Sequence, residues 1–342
     1  MSNRIRFIEN YYASHLRLSE SLPLKTPLSV MIDPVNICNF KCSFCPTGDE
    51  KLLESVNRPK AIMDFDFFCK VIGDISNFEN KIRSLLMYKD GEPFLNKNIG
   101  KMIEYAKEKN IANIIQVVSN GSLIYENRAI EIIEAGLDVI KISVEHVSDK
   151  GYREITKTFS SYETVRKNVE FLYNEKEKRK SKLKIHAKIL DTNLSSIEKE
   201  KFIKDFQSIS DSINIDSLMG WSNSGKKDFT MGISSDFGMD NTSKLKKDRK
   251  VCPEPFKTMA VNSNGLVSVC CVDWSLGTVV GDVSKESLVD VWNGKKLKEF
   301  ARLHLKGERS KIEACANCQY MQGLHDINDI DDIAENIIKF YE

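Results

Sequence analysis

Cys38, Cys42 and Cys45 fall within eight residues, in the run Asn36-Ile37-Cys38-Asn39-Phe40-Lys41-Cys42-Ser43-Phe44-Cys45-Pro46. Cubane iron–sulfur clusters are held by four thiolates. Three, with no histidine or further cysteine in the loop, leave one iron without a protein ligand. An open iron is a place for chemistry, as catalytic zinc keeps a vacancy where structural zinc is closed. Two plainer uses compete, packing as small apolar side chains and a zinc site. Three in eight residues is not scatter, and the nearest histidine, His15, lies upstream on another segment. The expectation is a cluster with one open corner. Cys252, Cys270, Cys271, Cys315 and Cys318 fall in the last quarter of the chain, and four thiolates there would make a second, closed site.

Strand-like apolar runs alternate with helix-length amphipathic segments between residues 28 and 221, the pattern of βα units on a parallel sheet. Strands are expected near Leu28 to Pro34, Leu85 to Tyr88, Ile114 to Ser119, Val139 to Val144, Lys184 to Leu190 and Ile213 to Leu218. Helices are expected near Phe65 to Ser76, Lys97 to Glu108, Ile124 to Glu134, Tyr162 to Tyr173 and Ser196 to Phe206. Six such repeats fall short of the eight that close a barrel, so the fold class is α/β, a partial (β/α)6 TIM-like barrel. Active sites in such folds sit at the C-terminal strand ends, where the cysteine loop follows strand one. Residues 222–250 dissolve into Ser, Gly, Asn, Asp and Lys and read as a linker or loop over the pocket. Residues 251–342 form a small C-terminal domain of β-hairpin plus helix, and residues 1–27 an N-terminal segment. The hairpin spans Met259 to Val269 with Asn264-Gly265 at its turn, carrying Cys270 back toward Cys252.

Size and charge narrow the partners. The 342 residues carry 50 basic and 49 acidic side chains, a net charge of +1, which gives no global attraction to nucleic acid or an anionic membrane. The lysine run from Glu175 to Lys182 reads as the solvated end of a helix. Neither a signal-peptide core in Met1 to Phe7 nor a bilayer-length apolar stretch is found, so a cytoplasmic protein is expected. Nine cysteines in a reducing compartment argue for metal rather than disulfides, and Cys69 is expected to be a core residue.

The C-x3-C-x2-C loop, with Phe44 before its last cysteine, resembles that of the radical S-adenosylmethionine (SAM) enzymes. The resemblance implies a [4Fe-4S] cluster on Cys38, Cys42 and Cys45 whose open iron is chelated by SAM. Reductive cleavage then gives a 5′-deoxyadenosyl radical. Tyr88-Lys89-Asp90-Gly91-Glu92-Pro93 is similar to the family's Gly-Gly-Glu-Pro turn, with Asp90 in place of the first glycine. That turn offers carbonyls and a carboxylate to the SAM ammonium. A glycine reaches backbone angles that Asp90 reaches less easily. Ser119, Asn120, Ser143 and Glu145 close strands three and four, where relatives bind the SAM ribose or carboxylate. On strand five, His186 and Lys188 share a face. Lys188 is a candidate partner of the SAM carboxylate, and His186 is as well explained by the core.

Cys252, Asn264-Gly265, Cys270, Gly277, Gly281 and the C-x2-C of Cys315 and Cys318 resemble the twitch domain, a shortened SPASM extension. This implies a second [4Fe-4S] cluster on Cys252, Cys270, Cys315 and Cys318, and two clusters in all. Adjacent strand residues face opposite ways, so Cys271 is expected to be a buried small residue or a free thiol able to donate hydrogen. A closed cluster can relay electrons. By resemblance to twitch-bearing aminocyclitol dehydrogenases, the radical takes a carbinol hydrogen, a base takes the hydroxyl proton, and the electron passes to the second cluster. Glu145, His186 and Asp273 are candidate bases. The substrate would be a sugar, cyclitol, nucleotide sugar or peptide, and flavodoxin or ferredoxin would supply the initiating electron. Other readings are a peptide maturase, although only about 27 residues precede strand one, an epimerase using Cys271, and a two-cluster electron carrier.

Overall fold

The computed structural model describes residues 17–342 except Ser224, Asp240 and Thr242. The expectations for residues 1–16, His15 included, lie outside the described residues. Six parallel strands follow in sequence: β1 (Ser29–Ile32), β2 (Ile82–Leu86), β3 (Ala112–Ser119), β4 (Val139–Val144), β5 (Lys184–Asp191) and β6 (Ser212–Ser217). Helices α1 (Glu50–Ser55), α2 (Phe65–Ser76), α3 (Ile99–Lys109), α4 (Glu126–Glu134), α5 (Asp149–Thr156), α6 (Tyr162–Lys178) and α7 (Ser196–Phe206) connect them. The expected α/β partial barrel is found.

Local chemistry sets the boundaries. Asp64 caps α2 by accepting from the Asp66 and Phe67 amides, and Ser195 with Glu198 makes a reciprocal capping box at α7. Strand β2 starts three residues earlier than the apolar run suggests, because Arg83 and Ser84 interrupt the pattern without breaking the ladder. Helix α6 runs five residues past Tyr173. Glu175 holds Lys178 and Arg179 on its surface, while Lys176 turns inward and meets Asp211 at 2.7 Å. The lysine run is therefore not wholly solvated, since Lys176 is a buried ion pair. Helix α5, eight residues long and mostly polar in sequence, adds to the expected set; Ser148 caps it.

Alternation then divides the sheet into two chemical faces. Val30 and Ile32 of β1, Ile140, Ile142 and Val144 of β4, and Ile185, Ala187 and Ile189 of β5 are buried in the core that also holds Phe68, Val71 and Ile72 of α2. The opposite face of β3 to β6 carries Gln116, Lys141, Ser143, His186, Lys188, Asn214 and Asp216. A polar lumen is the result.

The C-terminal residues extend this same sheet. Strand β7 (Thr258–Val261) lies parallel to β1, and β8 (Leu266–Ser268) and β9 (Val279–Asp282) follow antiparallel, giving the order β6-β5-β4-β3-β2-β1-β7-β8-β9. The expected hairpin is present, with Gly265 at φ +87° in its turn. Helices α8 (Leu288–Asn293) and α9 (Lys295–Leu305) pack beside it. The irregular segment after β6 folds across the cysteine loop: Trp221 donates to the Phe44 carbonyl, and Phe229 stacks edge-on against Trp274.

Candidate functional site

The cysteine loop leaves β1 at the C-terminal edge of the sheet and is strapped at three points. Lys41 and Ser43 donate their amides to the carbonyls of Thr156 and Ile155 at the end of α5. Phe40 is buried edge-on against Tyr152, and the Phe40 amide donates to the Cys38 sulfur at 3.4 Å. Asn120 reaches over from the end of β3, donating to Asn39 and lying 3.9 Å from the Cys38 sulfur. Burial pushes the Cys38 thiol up to about 12, with Glu92 and Cys45 adding to the rise. It raises Cys42 too, with Glu145, Cys45 and Cys38 contributing. Three thiols that disfavour one another's ionisation fit a cationic cluster, whose positive charge makes thiolates of them.

The turn at residues 88–93 presses on this loop. A Cβ on Gly91 would stand 2.0 Å from the Val35 carbonyl oxygen and 2.6 Å from that of Ile37, which only glycine avoids. Gly91→Ala is expected to push turn and loop apart, lowering stability by about 2–4 kcal/mol and iron incorporation with it. Denaturant melts and iron assay check this, and a wild-type iron content in a well-folded variant would show that the approach is not required. Asp90 needs no left-handed backbone, since it is not among the residues with positive φ. Its carboxylate is fully enclosed and bonded to Arg58 and Lys89. Burial would raise its pKa, but Arg58 and Lys89 hold it below the ordinary value.

Glu92 is the knot between the second and third strand ends. Its carboxylate accepts from Ser119 Oγ at 2.8 Å, the Asn120 amide at 2.8 Å and the Phe94 amide at 3.1 Å. Burial still pushes it up to about 7. Ser119 and Asn120 therefore serve this knot and the cysteine loop. Pro93 is buried beside it and starts a short 3-10 turn. Phe44 is buried and offers its carbonyl to Trp221.

Across the lumen, Lys188 pairs with Asp216 at 3.2 Å. Ser143 lies beside it in register. Glu145 is buried at the end of β4, where burial pushes its carboxyl up to about 7 against the pull of Lys188. Two expected bases do not suit that work. His186 bonds Ser212 at 2.7 Å, and burial with Lys141 and Lys188 nearby pushes it down to about 3, which makes it a weak base. Asp273 is fully buried, and its carboxylate accepts from the Gly277 and Thr278 amides and the Ser275 and Thr278 hydroxyls, which makes it the clasp of its own loop.

The second group of cysteines assembles beyond β8. Burial raises the Cys252 thiol, with Cys318 and Cys315 adding. Cys270, a free thiol, is raised by its hydrogen bond to the Cys271 thiol, then by burial and by the nearby Cys318 and Cys252. Strand β8 ends at Ser268, so alternation does not separate Cys270 from Cys271. Cys271 joins the group instead, bonding Cys270 and Tyr320. Among the described residues no three His, Cys, Asp or Glu side chains close tightly enough to hold a single ion, and both cysteine groups are looser than that. Cys69 is only partly buried, bonded to Tyr105, and not a core residue.

Several members of the site carry no sequence signal. Arg58 bonds the Asp90 carboxylate and the Trp274 carbonyl, and Lys89 bonds Asp90 and, at 2.8 Å, the Asp273 carbonyl. A buried chain of contacts thus joins the turn beside the first cysteines to the segment that follows Cys270 and Cys271. Asp33 lies under it, accepting from the Asp90 amide and pushed up to about 7 by burial and by Asp90.

Two family models match the chain. Residues 32–185 match the radical SAM superfamily, and residues 252–319 match the iron–sulfur cluster-binding domain SPASM. The chain carries radical SAM and SPASM domains. A curated relative, the S-adenosyl-L-methionine-dependent 2-deoxy-scyllo-inosamine dehydrogenase of Niallia circulans, is 28% identical over 80 residues, covering 23% of this chain and 32% of that protein. The chain spans less than two thirds of the length of the curated relatives it matches. Among solved structures, BtrN in complex with AdoMet and 2-DOIA superposes with a TM-score of 0.54 at 17% identity, over 88% of this chain and 98% of that one. SuiB of Streptococcus suis bound to precursor peptide SuiA gives a TM-score of 0.60 at 15% identity, over 84% and 69%. At these identities the structures establish a shared fold. Among the described residues no helix is long and apolar enough to cross a membrane.

Proposed function

We propose that this radical SAM enzyme oxidises a carbinol of a sugar or cyclitol, passing the electron to a second [4Fe-4S] cluster. The observation that carries the reading is the buried thiol group in the SPASM domain, tied through Lys89 and Arg58 to the turn beside the first three cysteines. Cys38, Cys42 and Cys45 would hold the first cluster, and Cys252, Cys270, Cys315 and Cys318 the second. When bound to the first, SAM supplies hydrogen-atom abstraction and is released as methionine and 5′-deoxyadenosine. The chain's own residues do the rest. Residues 90–93 and the ends of β3 and β4 shape the cofactor's seat, while Glu145, facing the lumen at the end of β4, takes the hydroxyl proton. The second cluster, held by Cys252, Cys270, Cys315 and Cys318, would accept the electron left on the substrate carbon, and flavodoxin or ferredoxin would supply the initiating electron. The dehydrogenase relative supports this reading through its function.

Epimerisation with Cys271 as hydrogen donor is less well supported, because that thiol is bonded to Cys270 and Tyr320 among the second group of cysteines. Peptide maturation keeps the support of the SuiB likeness in fold. The test is anaerobic reconstitution followed by turnover in deuterated water with a panel of cyclitols, sugars and nucleotide sugars. About eight irons per chain, 5′-deoxyadenosine and an equal amount of ketone are expected. Deuterium retained at the reacting carbon without ketone would point to epimerisation, and iron near four per chain would remove the electron acceptor.

A further inference from the structure

The lumen contains a lysine with no counterion. Lys141 sits in the middle of β4, in register with His186 on β5, one pleat deeper than the Ser143 and Lys188 pair. Its neighbours in sequence, Ile140 and Ile142, face the apolar core, so its side chain is on the lumen side. The charges facing it are Lys188 and Asp216, with His186 alongside. Asp216 is already taken, holding Lys188 at 3.2 Å and accepting from Asn214 at 2.6 Å. Among the described residues Lys141 has neither hydrogen-bond nor ion-pair partner. The more deeply buried lysines do not behave this way: Lys89 meets Asp90 and Lys176 meets Asp211, while Lys257 meets Glu254. Lys141 is half-buried, and a cation inside the lumen without a protein partner gains when an anion pairs with it.

We propose that Lys141, with Lys188, forms an anion seat in the barrel lumen that recognises an oxyanion, phosphoryl or carboxylate, carried by the small-molecule substrate. Around Lys141 itself, two lysines face one carboxylate, Asp216, while Glu145 at the strand end draws on Lys188 and not on Lys141; His186 is neutral and can add a hydrogen bond. Burial, with Lys188 adding, pushes Lys141 down to about 8, which leaves it mostly charged at neutral pH and able to gain from an anion. The carboxylate of SAM is the competing occupant. Lys141 lies three residues before the C-terminal end of β4, about 10 Å down the strand, below the edge of the sheet where the cysteine loop lies. The inference rests on the reading that the SAM-loaded cluster occupies the strand ends, and it narrows the substrate from neutral to anionic sugars or cyclitols.

Calorimetry on the full-length, anaerobically reconstituted protein, with glucose 6-phosphate, gluconate and glucose as probes, tests it. At least one anion should bind at about 10 mM or below while glucose does not, and Lys141→Met should weaken that anion about tenfold or more, with Lys141→Arg close to wild type. Which anion binds separates phosphoryl from carboxylate. Should Lys141→Met fold poorly, trinitrobenzenesulfonate labelling of the wild-type chain, mapped by peptide mass spectrometry, replaces it: the anion should slow modification of Lys141, and glucose should not. The proposal is overturned if no anion binds, if glucose binds as well, if labelling is unprotected, or if Lys141→Met loses SAM affinity instead. Release of 5′-deoxyadenosine by the wild-type protein is followed in parallel, so that failure of the radical reading is seen separately from failure of the anion seat.

Discussion

Replacing Cys38, Cys42 or Cys45 singly by alanine will take the reconstituted chain from about eight irons to about four and lower 5′-deoxyadenosine release about a thousandfold or more. Two thiolates on one loop cannot hold a cubane that three hold with a corner open. The effect should exceed a simple loss of affinity. The loop is packed by its own backbone bonds to α5 and by Phe40 against Tyr152, so it keeps its shape without the third sulfur and gives no substitute ligand. Cys69→Ala, on α2 and bonded only to Tyr105, is the matched control. Iron assay, electron paramagnetic resonance and chromatography of SAM products make the measurement. Normal cofactor cleavage by any of the three variants would remove the basis of the proposed chemistry.

Much of this was readable in the chain and some was not, for identifiable reasons. Strand β4 and helices α2 and α7 were placed at their observed ends because apolar periodicity and their caps agree there. The cysteine loop was readable because its spacing is short and its chemistry local. Glu92 was singled out, but not the form of its bonding: its carboxylate ties Ser119 to Asn120, a long-range closure that periodicity does not encode. Asp273 reads as a candidate base from its expected place near the barrel mouth, yet Ser275, Gly277 and Thr278 together claim its acceptor capacity. Cys271 was set apart from Cys270 by strand alternation, which does not apply once β8 ends at Ser268. Lys141 was invisible because a lysine within a strand is ordinary on an exposed face, and only the register with His186 and the engagement of Asp216 make it unusual.

Arg58→Met should be the most destabilising single change outside the cysteines, by about 3–5 kcal/mol. Its guanidinium is enclosed between the Asp90 carboxylate and the Trp274 carbonyl, with side-chain exposures of 2% for Arg58 and 0% for Asp90. Removing it leaves an ionised Asp90 with Lys89 alone, next to the Asp33 carboxyl that burial and then Asp90 push up to about 7. It also strands a buried carbonyl, which costs about 1–3 kcal/mol when its donor is lost. The resemblance expects glycine at position 90, where no such charge would need balancing, so Asp90, Arg58 and Lys89 stand or fall together. Asp90→Asn in the Arg58→Met background should therefore recover part of the loss, with a coupling of about 1 kcal/mol or more. Denaturant melts of the four proteins in that cycle give the number directly, and additive effects would mean that the pair is not a unit. The same substitution should reach beyond stability. Arg58 and Lys89 are the contacts that bind the turn beside the first cysteines to the segment after Cys271, so the second cluster's resonance spectrum should change in Arg58→Met although none of its ligands has been touched. An unchanged spectrum in a destabilised variant would confine this bridge to folding.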